Sequence, residues 1–456
     1  MRTPTRANLW TPLVVTLVCG LTLALGYLNK ARCSGVPYDS QGRSLVFDRL
    51  KDSSVCYSDI QFLWLGRSIN DHVFPYLSGG ITDSGGLTGG TVEYPVLSGL
   101  LMWLGAIGAH TDAEFLLQSA LILAPFALAT AWMLGRMSGW AALLWSAGPP
   151  LVLYAFHNWE LPVVAAATAG IFVVVAFDRV PLRTRGVLAA VLLAVGFCFK
   201  IYPGIFVLPL IAFVLTGGVG GRELPASVPG RYDVKGALAV AGAAVATTVA
   251  INLPFAILGW DGWLASFTFQ SDRQADVTTN SVWFWGIRPL FDSVEGTDSD
   301  YARFVSLASP LLVLASFALA LWFGWRRYRR DGTYAWVAVS GAMLCGFLLL
   351  HKVHSPQYTL WLIPFLVLLR VPWTLVAGYL LADLSMGIGV FRYFAALSAG
   401  EDASTEELAV QFGVWGRAVL LVVFYVLFLR ADLRRRRNTE DDSPETTAVP
   451  VGTSPV

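Results

Sequence analysis

Charged residues are scarce in this chain, and its longest apolar stretches contain almost none. Only 14% of the 456 residues are Asp, Glu, Lys or Arg, whereas 55% are hydrophobic, and the formal net charge is +1. A soluble globular domain could not bury that much apolar surface. Because the few charges are spread along the chain and form no single basic face, the composition also gives no indication of nucleic-acid binding.

Two kinds of catalytic motif are missing. No glycine-rich loop ending in Lys and Ser or Thr is present to hold nucleotide phosphates, which argues against a nucleotide-driven cytoplasmic enzyme. Metal-ligand spacing is also lacking, since His351 and His354 would need a distant carboxylate to complete a site. We therefore expect no required cofactor, and the sequence gives a divalent metal no support.

The first apolar stretch, residues 9–28, follows Arg2 and Arg6 and so resembles a signal peptide. Its length of about 20 residues is enough to span a bilayer. Tyr27 and Asn29 occupy positions where small residues would mark a cleavage site. We interpret this stretch as the first transmembrane helix.

Further apolar segments of spanning length predict an all-α, polytopic bundle of about twelve transmembrane helices. The run 96–109 is different, because its roughly 14 apolar residues are too few to span and Glu93 and Glu114 lie close to its ends. We expect it to lie flat in the membrane interface. The predicted spans after the first are 115–135, 139–156, 160–177, 186–202, 203–217, 236–258, 303–325, 333–350, 357–370, 372–394 and 412–430.

The arginine clusters set the predicted orientation. With 96–109 flat, the clusters at 179–185, 326–330 and 434–437 all face the cytoplasm, as the positive-inside rule requires. If that run crossed the membrane, the cluster at 179–185 would lie outside. Both termini are then cytoplasmic.

This orientation divides the chain into a transmembrane domain, residues 1–437, and a polar tail, residues 438–456, that is predicted to be disordered. It also places the long polar loops outside the cell. Function usually lies in loops held by a rigid scaffold, so we expect the chemistry at the outer face of the plasma membrane. The predicted outer segments are 29–114, 157–160, 200–203, 259–302 and 351–358.

Cys33 and Cys56 both fall in the first outer loop, where the compartment is oxidising, whereas the other three cysteines lie in apolar helices. We expect a Cys33–Cys56 disulfide, with two free thiols as the alternative.

Two acidic residues beside helix starts are candidates for chemistry. Asp59 stands in CYSDIQFLWLG, where the apolar spacing predicts an amphipathic helix near the membrane surface; its carboxylate is either functional or a helix cap alongside Ser58. Glu160 follows His157 and Asn158, and it is either functional or complements the helix dipole.

Basic and polar side chains are concentrated at two other corners. Lys200 ends a predicted helix, and it either snorkels to the interface or acts on a ligand; a snorkelling Lys would go against the positive-inside bias. The segment HKVHSPQY at 351–358 concentrates two His, a Lys, a Gln and a Tyr between apolar helices. Such donors suit a phosphate group.

Several segments, in this order, resemble the polytopic glycosyltransferases of the GT-C type, most closely the actinobacterial glycosyltransferase 87 group, which includes polyprenyl-phosphate-mannose-dependent mannosyltransferases. The segments are CYSDIQFLW, FPY, EYPVLSGLL, KIYPGIFVLPL and KVHSPQYTLWLIP, and the similarity covers nearly the whole chain up to the tail. It implies transfer of a sugar, mannose first, from a polyprenyl-phosphate donor to a glycolipid, lipoglycan or other cell-envelope acceptor. The partners it implies are these two substrates and membrane lipid.

The resemblance also implies roles for individual residues. Asp59 matches the family's catalytic carboxylate, which would act as general base in a single inverting displacement. Glu160, with His157 and Asn158, matches a second acidic corner of the acceptor site, where Asp is more usual. The donor phosphate and sugar site would be formed by Lys200, Tyr202, His351, Lys352, His354 and Gln357, with Arg273 and Arg288 as helpers.

A lipid or glycolipid flippase is the main alternative. Transporters place polar residues near the bilayer midplane on broken helices, often in two related halves. Here the predicted helix centres are nearly free of charge, Asp383 being the main exception, and no repeat is evident. These features favour the glycosyltransferase.

Overall fold

The computed structural model describes residues 9–228, 230–291 and 297–434. The tail predicted to be disordered, residues 438–456, lies outside the described residues. So do the basic positions 435–437 and the acidic stretch 292–296 of the fourth predicted outer segment.

The described chain is built almost entirely from helices. The only strands among the described residues are β1 (Gly80–Ile81) and β2 (Leu87–Thr88), which pair antiparallel in the first loop. The α-helices are α1 (Trp10–Ala31), α2 (Leu45–Leu50), α3 (Asp59–Gly66), α4 (Val96–Gly105), α5 (Asp112–Ser138), α6 (Leu143–Ser146), α7 (Pro149–Tyr154), α8 (Glu160–Ala176), α9 (Leu182–Phe199), α10 (Val207–Leu215), α11 (Val234–Leu258), α12 (Trp260–Asp272), α13 (Thr297–Asp331), α14 (Trp336–Leu350), α15 (Thr359–Leu368), α16 (Trp373–Ala399) and α17 (Ser404–Arg430).

Eight helical segments among the described residues are long and apolar enough to cross a membrane. They coincide with eight of the predicted spans. Of the other four, α8, α14 and α15 are helices of 17, 15 and 10 residues. The segment predicted at 139–156 is broken into short pieces, because Pro149 and Pro150 can begin a helix but cannot continue one.

Helix α4 matches the run that we expected to lie flat. It contains 10 residues, about half the length that a helix needs to span a bilayer. It packs against α5, α9 and α11 and so joins the first loop to the bundle.

The two ends of the bundle differ in chemistry. One end, the loop face, carries the long first loop between α1 and α5. The other end, the arginine-rich face, has a cavity of about 810 Å³ whose lining includes Arg136, Arg185, Arg327 and Arg370. The same lining includes Asp178, Glu223, Asp331 and Asp432, so the arginines of this face lie beside acidic partners.

Helix α15 lies at the centre of the bundle, and all of its residues are buried. It packs against α5, α7, α8 and α14. A short 3₁₀ turn, Pro356–Tyr358, leads into it at the loop face. The side chains on that turn are therefore attached to a fully buried helix.

Candidate functional site

A cavity of about 880 Å³ opens among the loops of the loop face. It collects side chains that are far apart in sequence, and we call it the main cavity. Its polar and aromatic lining includes Tyr57, Asp59, Arg67, Glu93, Tyr94, His157, Asn158, Lys200, Gln270, Arg273, Asn280, Gln357, Tyr358 and Phe391.

The first loop is fastened before it reaches the cavity. Cys33 and Cys56 are joined by a disulfide. Lys30 donates from Nζ to the carbonyl oxygen of Tyr57 at 2.7 Å, and the Asp59 amide donates to the carbonyl oxygen of His157 at 2.7 Å. These contacts tie the start of α3 to the corner between α7 and α8.

The structure separates the two roles that the sequence allowed for Asp59. Ser58 is the N-cap of α3, and its hydroxyl oxygen accepts from the amide of Ile60 while the hydroxyl donates to the Phe156 carbonyl at 2.7 Å. Since Ser58 performs the capping, the Asp59 carboxylate faces the main cavity instead.

Both carboxylate oxygens of Asp59 accept hydrogen bonds. The Tyr57 hydroxyl donates to Oδ1 at 2.8 Å, and the Asn158 amide donates to Oδ2 at 2.6 Å. Burial raises the pKa of Asp59 above its ordinary value, and the charge of Glu93 acts in the same direction. The hydrogen bonds and the charge of Lys200 oppose that shift, so the group stays oriented while its basicity increases.

Glu160 lies behind the cavity wall. Its side chain is fully buried and forms an ion pair with Lys200, and its second oxygen accepts from the indole Nε1 of Trp361 at 2.6 Å. Glu160 is therefore not part of the cavity lining, unlike His157 and Asn158, the two neighbours with which the sequence grouped it. Its carboxylate holds Lys200 in position.

The six residues predicted to form the donor site do not converge on one point. Lys200 and Gln357 line the main cavity. Tyr202 is buried and stacks on Trp361, with 4.3 Å between ring centroids. His354 is also buried, and its Nε2 has no hydrogen-bond partner among the residues that the structure describes.

His351 and Lys352 are not part of the main cavity lining. The His351 ring stacks on Phe347 at 4.7 Å, and burial lowers its pKa to about 4, so it is neutral at physiological pH. Lys352 donates to the Ser271 carbonyl at 2.7 Å and lines a neighbouring cavity of about 310 Å³. Arg273 belongs to the walls of both cavities.

Two basic groups give the main cavity different electrostatic characters. Arg67 is neutralised by Glu93 through two hydrogen bonds of 2.7 and 3.1 Å. Arg273 forms no ion pair with any residue that the structure describes. An unpaired guanidinium facing a cavity suits a phosphate or carboxylate ligand.

Sequence reasoning missed several residues of the lining. Tyr57 and Tyr94 stand in the segments CYSD and EYP, so their positions were marked although no role followed from them. No sequence motif marked Arg67 or Asn280 as a site residue, because only the folded chain brings them to the cavity. Within the described residues, no group of three or more His, Cys, Asp or Glu side chains is placed to hold a metal ion.

Comparisons with known proteins address the family. An oligosaccharyltransferase from Archaeoglobus fulgidus, solved in its apo form, aligns with 92% of this chain at 12% identity and a TM-score of 0.40. The chain spans 56% of that protein's length. No curated protein matches the chain significantly.

The family match covers more than half of the chain. Residues 93–351 match the model of glycosyltransferase family 87. The matched segment contains Glu93, Asn158, Glu160 and Lys200, while Asp59 precedes it. The chain belongs to glycosyltransferase family 87 and is a membrane glycosyltransferase.

Proposed function

We propose that the protein transfers a sugar, with mannose as the first candidate, from a polyprenyl-phosphate donor to a lipid-linked or cell-envelope glycan acceptor. The observation that carries this proposal is the Asp59 carboxylate, oriented by Tyr57 and Asn158 on the wall of a cavity that also presents Lys200 and Arg273. A base and positive charge in one cavity match the needs of sugar transfer from a phosphate leaving group.

In the proposed reaction, Asp59 removes the proton from the acceptor hydroxyl. The acceptor oxygen bonds to the anomeric carbon of the donor sugar as the bond from that carbon to the phosphate oxygen breaks. The electron pair of the broken bond stays on the phosphate. Because attack and departure take place on opposite faces of the carbon, one displacement inverts its configuration.

The cationic wall is proposed to bind the leaving phosphate. Arg273 forms no ion pair with a described residue, and Lys200, which lines the same cavity, has its ammonium fixed in position by Glu160. Fixed positive charge stabilises the developing phosphate charge without reorganisation. In this scheme Glu160 acts through Lys200, and no step requires a metal or another cofactor.

Asn158 couples the base to this cation. Its amide nitrogen donates to Asp59, and its amide oxygen accepts from Lys200 at 3.3 Å. One side chain therefore maintains the spacing between the base and the phosphate-binding charge.

We propose that the loop face is extracytoplasmic and that both termini are cytoplasmic. The support is the concentration of arginine on the opposite face and the Cys33–Cys56 disulfide in the first loop, which suits an oxidising compartment. Cysteine accessibility to an impermeant thiol reagent in intact cells, with single cysteines placed on each face, tests this orientation.

The function is tested with purified protein, polyprenyl-phosphate-[³H]mannose and a membrane lipid extract, with Asp59→Ala in parallel. We expect label in the lipid fraction with wild type only. Transfer from polyprenyl-phosphate arabinose in place of mannose changes the sugar and retains the mechanism. Absence of transfer from every lipid-linked sugar rejects the proposal and favours a glycolipid flippase.

A further inference from the structure

Among the described residues, two amide side chains of the main cavity have an oxygen atom without a hydrogen-bond donor. They are Oδ1 of Asn280 and Oε1 of Gln357, and both are buried. The residues are 3% and 4% exposed, yet both belong to the cavity lining. Native proteins pair nearly all buried polar atoms, so two orphaned acceptors in one cavity indicate a ligand that supplies donors.

The backbone and the amide nitrogen fix the Asn280 side chain. Asn280 adopts a left-handed conformation with φ of 51°, which Asn tolerates better than most residues. Its Nδ2 donates to the Thr278 carbonyl within the same turn at 3.2 Å. Because the nitrogen is bonded there, the amide oxygen is the atom left for a ligand.

The loops that carry the two amides are joined to each other. The amide of His354 donates to the carbonyl oxygen of Thr279 at 2.8 Å. Arg417 donates from Nη2 to the carbonyl oxygens of both Asn280 and His354 at 3.4 Å. The Arg417 side chain is itself fully buried and pairs with Asp383 on α16. A single guanidinium in the bundle thus holds both loops.

Gln357 is held in place by the helix that follows it. It lies in the 3₁₀ turn that leads into the buried helix α15, and Thr359 at the start of that helix donates to Asp383. The Asp383–Arg417 pair therefore forms hydrogen bonds near both amides, with the Asn280 carbonyl through Arg417 and with Thr359 through Asp383. Two acceptors on loops that are connected in this way have defined positions, as a preorganised recognition surface requires.

We propose that Asn280 and Gln357 form a sugar-hydroxyl subsite, in which their side-chain oxygens accept hydrogen bonds from hydroxyl groups of a substrate sugar. The two unpaired atoms are oxygens, which accept hydrogen bonds from hydroxyl groups, whereas the charged groups of Arg273 and Lys200 donate to phosphate oxygens. The phosphate belongs to the wall of Arg273 and Lys200. The inference rests on the proposed function and extends it to the residues that select the sugar.

A site that hydrogen-bonds a substrate hydroxyl discriminates strongly against an analogue without it, because the site's buried polar group is then left unpaired. The test therefore uses monodeoxy sugars. One arm measures kcat/KM for polyprenyl-phosphate mannose and its 2-, 3-, 4- and 6-deoxy forms. The other arm measures the same for an acceptor glycolipid and its monodeoxy forms.

The variants are chosen to keep the backbone intact. Asn280→Gly removes the amide while accepting a positive φ, and Asn280→Asp retains an acceptor oxygen. Gln357→Leu and Gln357→Glu form the equivalent pair. Asn70→Ala, in the first loop and outside the cavity lining, is the matched amide control.

For wild type, Asn70→Ala, Asn280→Asp and Gln357→Glu, we expect kcat/KM to be lower for one particular deoxy sugar than for the parent sugar; we call this difference the deoxy penalty. Asn280→Gly and Gln357→Leu should each lower kcat/KM for the parent sugar by on the order of 10- to 100-fold and lose the penalty for one deoxy analogue. The arm in which the penalty disappears identifies the sugar as donor or acceptor.

Equal deoxy penalties in wild type, Asn280→Gly and Gln357→Leu, in both arms, would overturn the subsite and leave the proposed function intact. If wild type uses another polyprenyl-phosphate sugar, the same series is made with that sugar. Failure of wild type to transfer any such sugar overturns the proposed function and this inference with it.

Discussion

The Asn158 amide donates to the Asp59 carboxylate at 2.6 Å, across 99 positions of sequence. The same side chain accepts from Lys200 at 3.3 Å and also donates to the Tyr94 hydroxyl at 2.8 Å. The corner between α7 and α8 therefore connects the proposed base, the proposed phosphate-binding cation and an aromatic ring of the cavity. Replacing Asn158 should disturb all three.

Asp59→Asn should abolish transfer without unfolding the protein. The amide keeps the shape of the carboxylate but cannot take a proton, and a positioned base contributes roughly 10² to 10⁴ in rate. Initial rates of radiolabelled sugar transfer measure the loss. Asp71→Asn, in the same loop, is the control and should keep wild-type activity; near-wild-type transfer by Asp59→Asn would exclude this residue as the base.

The pH profile should show an acid limb displaced upward from the ordinary range of an aspartate. Burial raises the pKa of Asp59, and a base must be deprotonated to act, so activity should fall as the pH drops through that raised pKa. The Tyr57 hydroxyl stabilises the charged form, so Tyr57→Phe should move the acid limb to still higher pH. The measurement is kcat/KM against pH for both proteins, and an unmoved limb in Tyr57→Phe would contradict the assignment.

Glu160→Gln should destabilise the protein more than the double variant Glu160→Gln/Lys200→Gln. Removing one partner of a buried ion pair leaves an uncompensated charge and costs about 3–5 kcal/mol, whereas removing both avoids that penalty. Thermal unfolding in detergent compares the single and double variants. The double variant should remain slow in transfer, because the cation proposed to bind phosphate is gone; full activity would reject that role for Lys200.

Arg273→Ala should reduce kcat/KM for the donor, and Arg273→Lys should restore part of it. An unpaired guanidinium can bind a phosphate through two hydrogen bonds, whereas a Lys supplies only a point charge. Arg49→Ala on the exposed side of α2 serves as the control and should not change the rate. A fall in donor affinity that is equal for Arg49→Ala and Arg273→Ala would show a general surface charge effect instead.

The Cys33–Cys56 disulfide should protect both thiols from alkylation until reductant is added. The bond closes a loop over a sequence separation of 23 and fastens the segment before Asp59, so its loss should cost roughly 3 kcal/mol. Mass spectrometry after alkylation with and without reductant tests the pairing, and thermal unfolding of Cys33→Ser/Cys56→Ser tests its contribution. Modification of both cysteines without reductant would contradict the structure.

The sequence alone was sufficient for the class of fold and for much of the bundle. Spanning segments are recognisable because a bilayer demands long apolar runs, and the short helix α4 was recognisable because its run is too short. The break at Pro149 was the exception, since that segment counted as apolar although its two prolines interrupt the helix. Asp59 could be proposed as a site residue from its segment, whereas the hydrogen bond that Tyr57 donates to its carboxylate could not be predicted.

Only the tertiary structure decided what each polar side chain of the site does. Glu160 and Lys200 both looked like cavity residues, yet the fold buries Glu160 behind Lys200 as its partner. His351 and Lys352 stood beside Gln357 in one short segment, yet the chain turns so that Gln357 alone of these three enters the main cavity. The physical reason is that apolar periodicity is local and can be read from neighbours in sequence, whereas a hydrogen bond or an orphaned acceptor depends on atoms that only folding brings together.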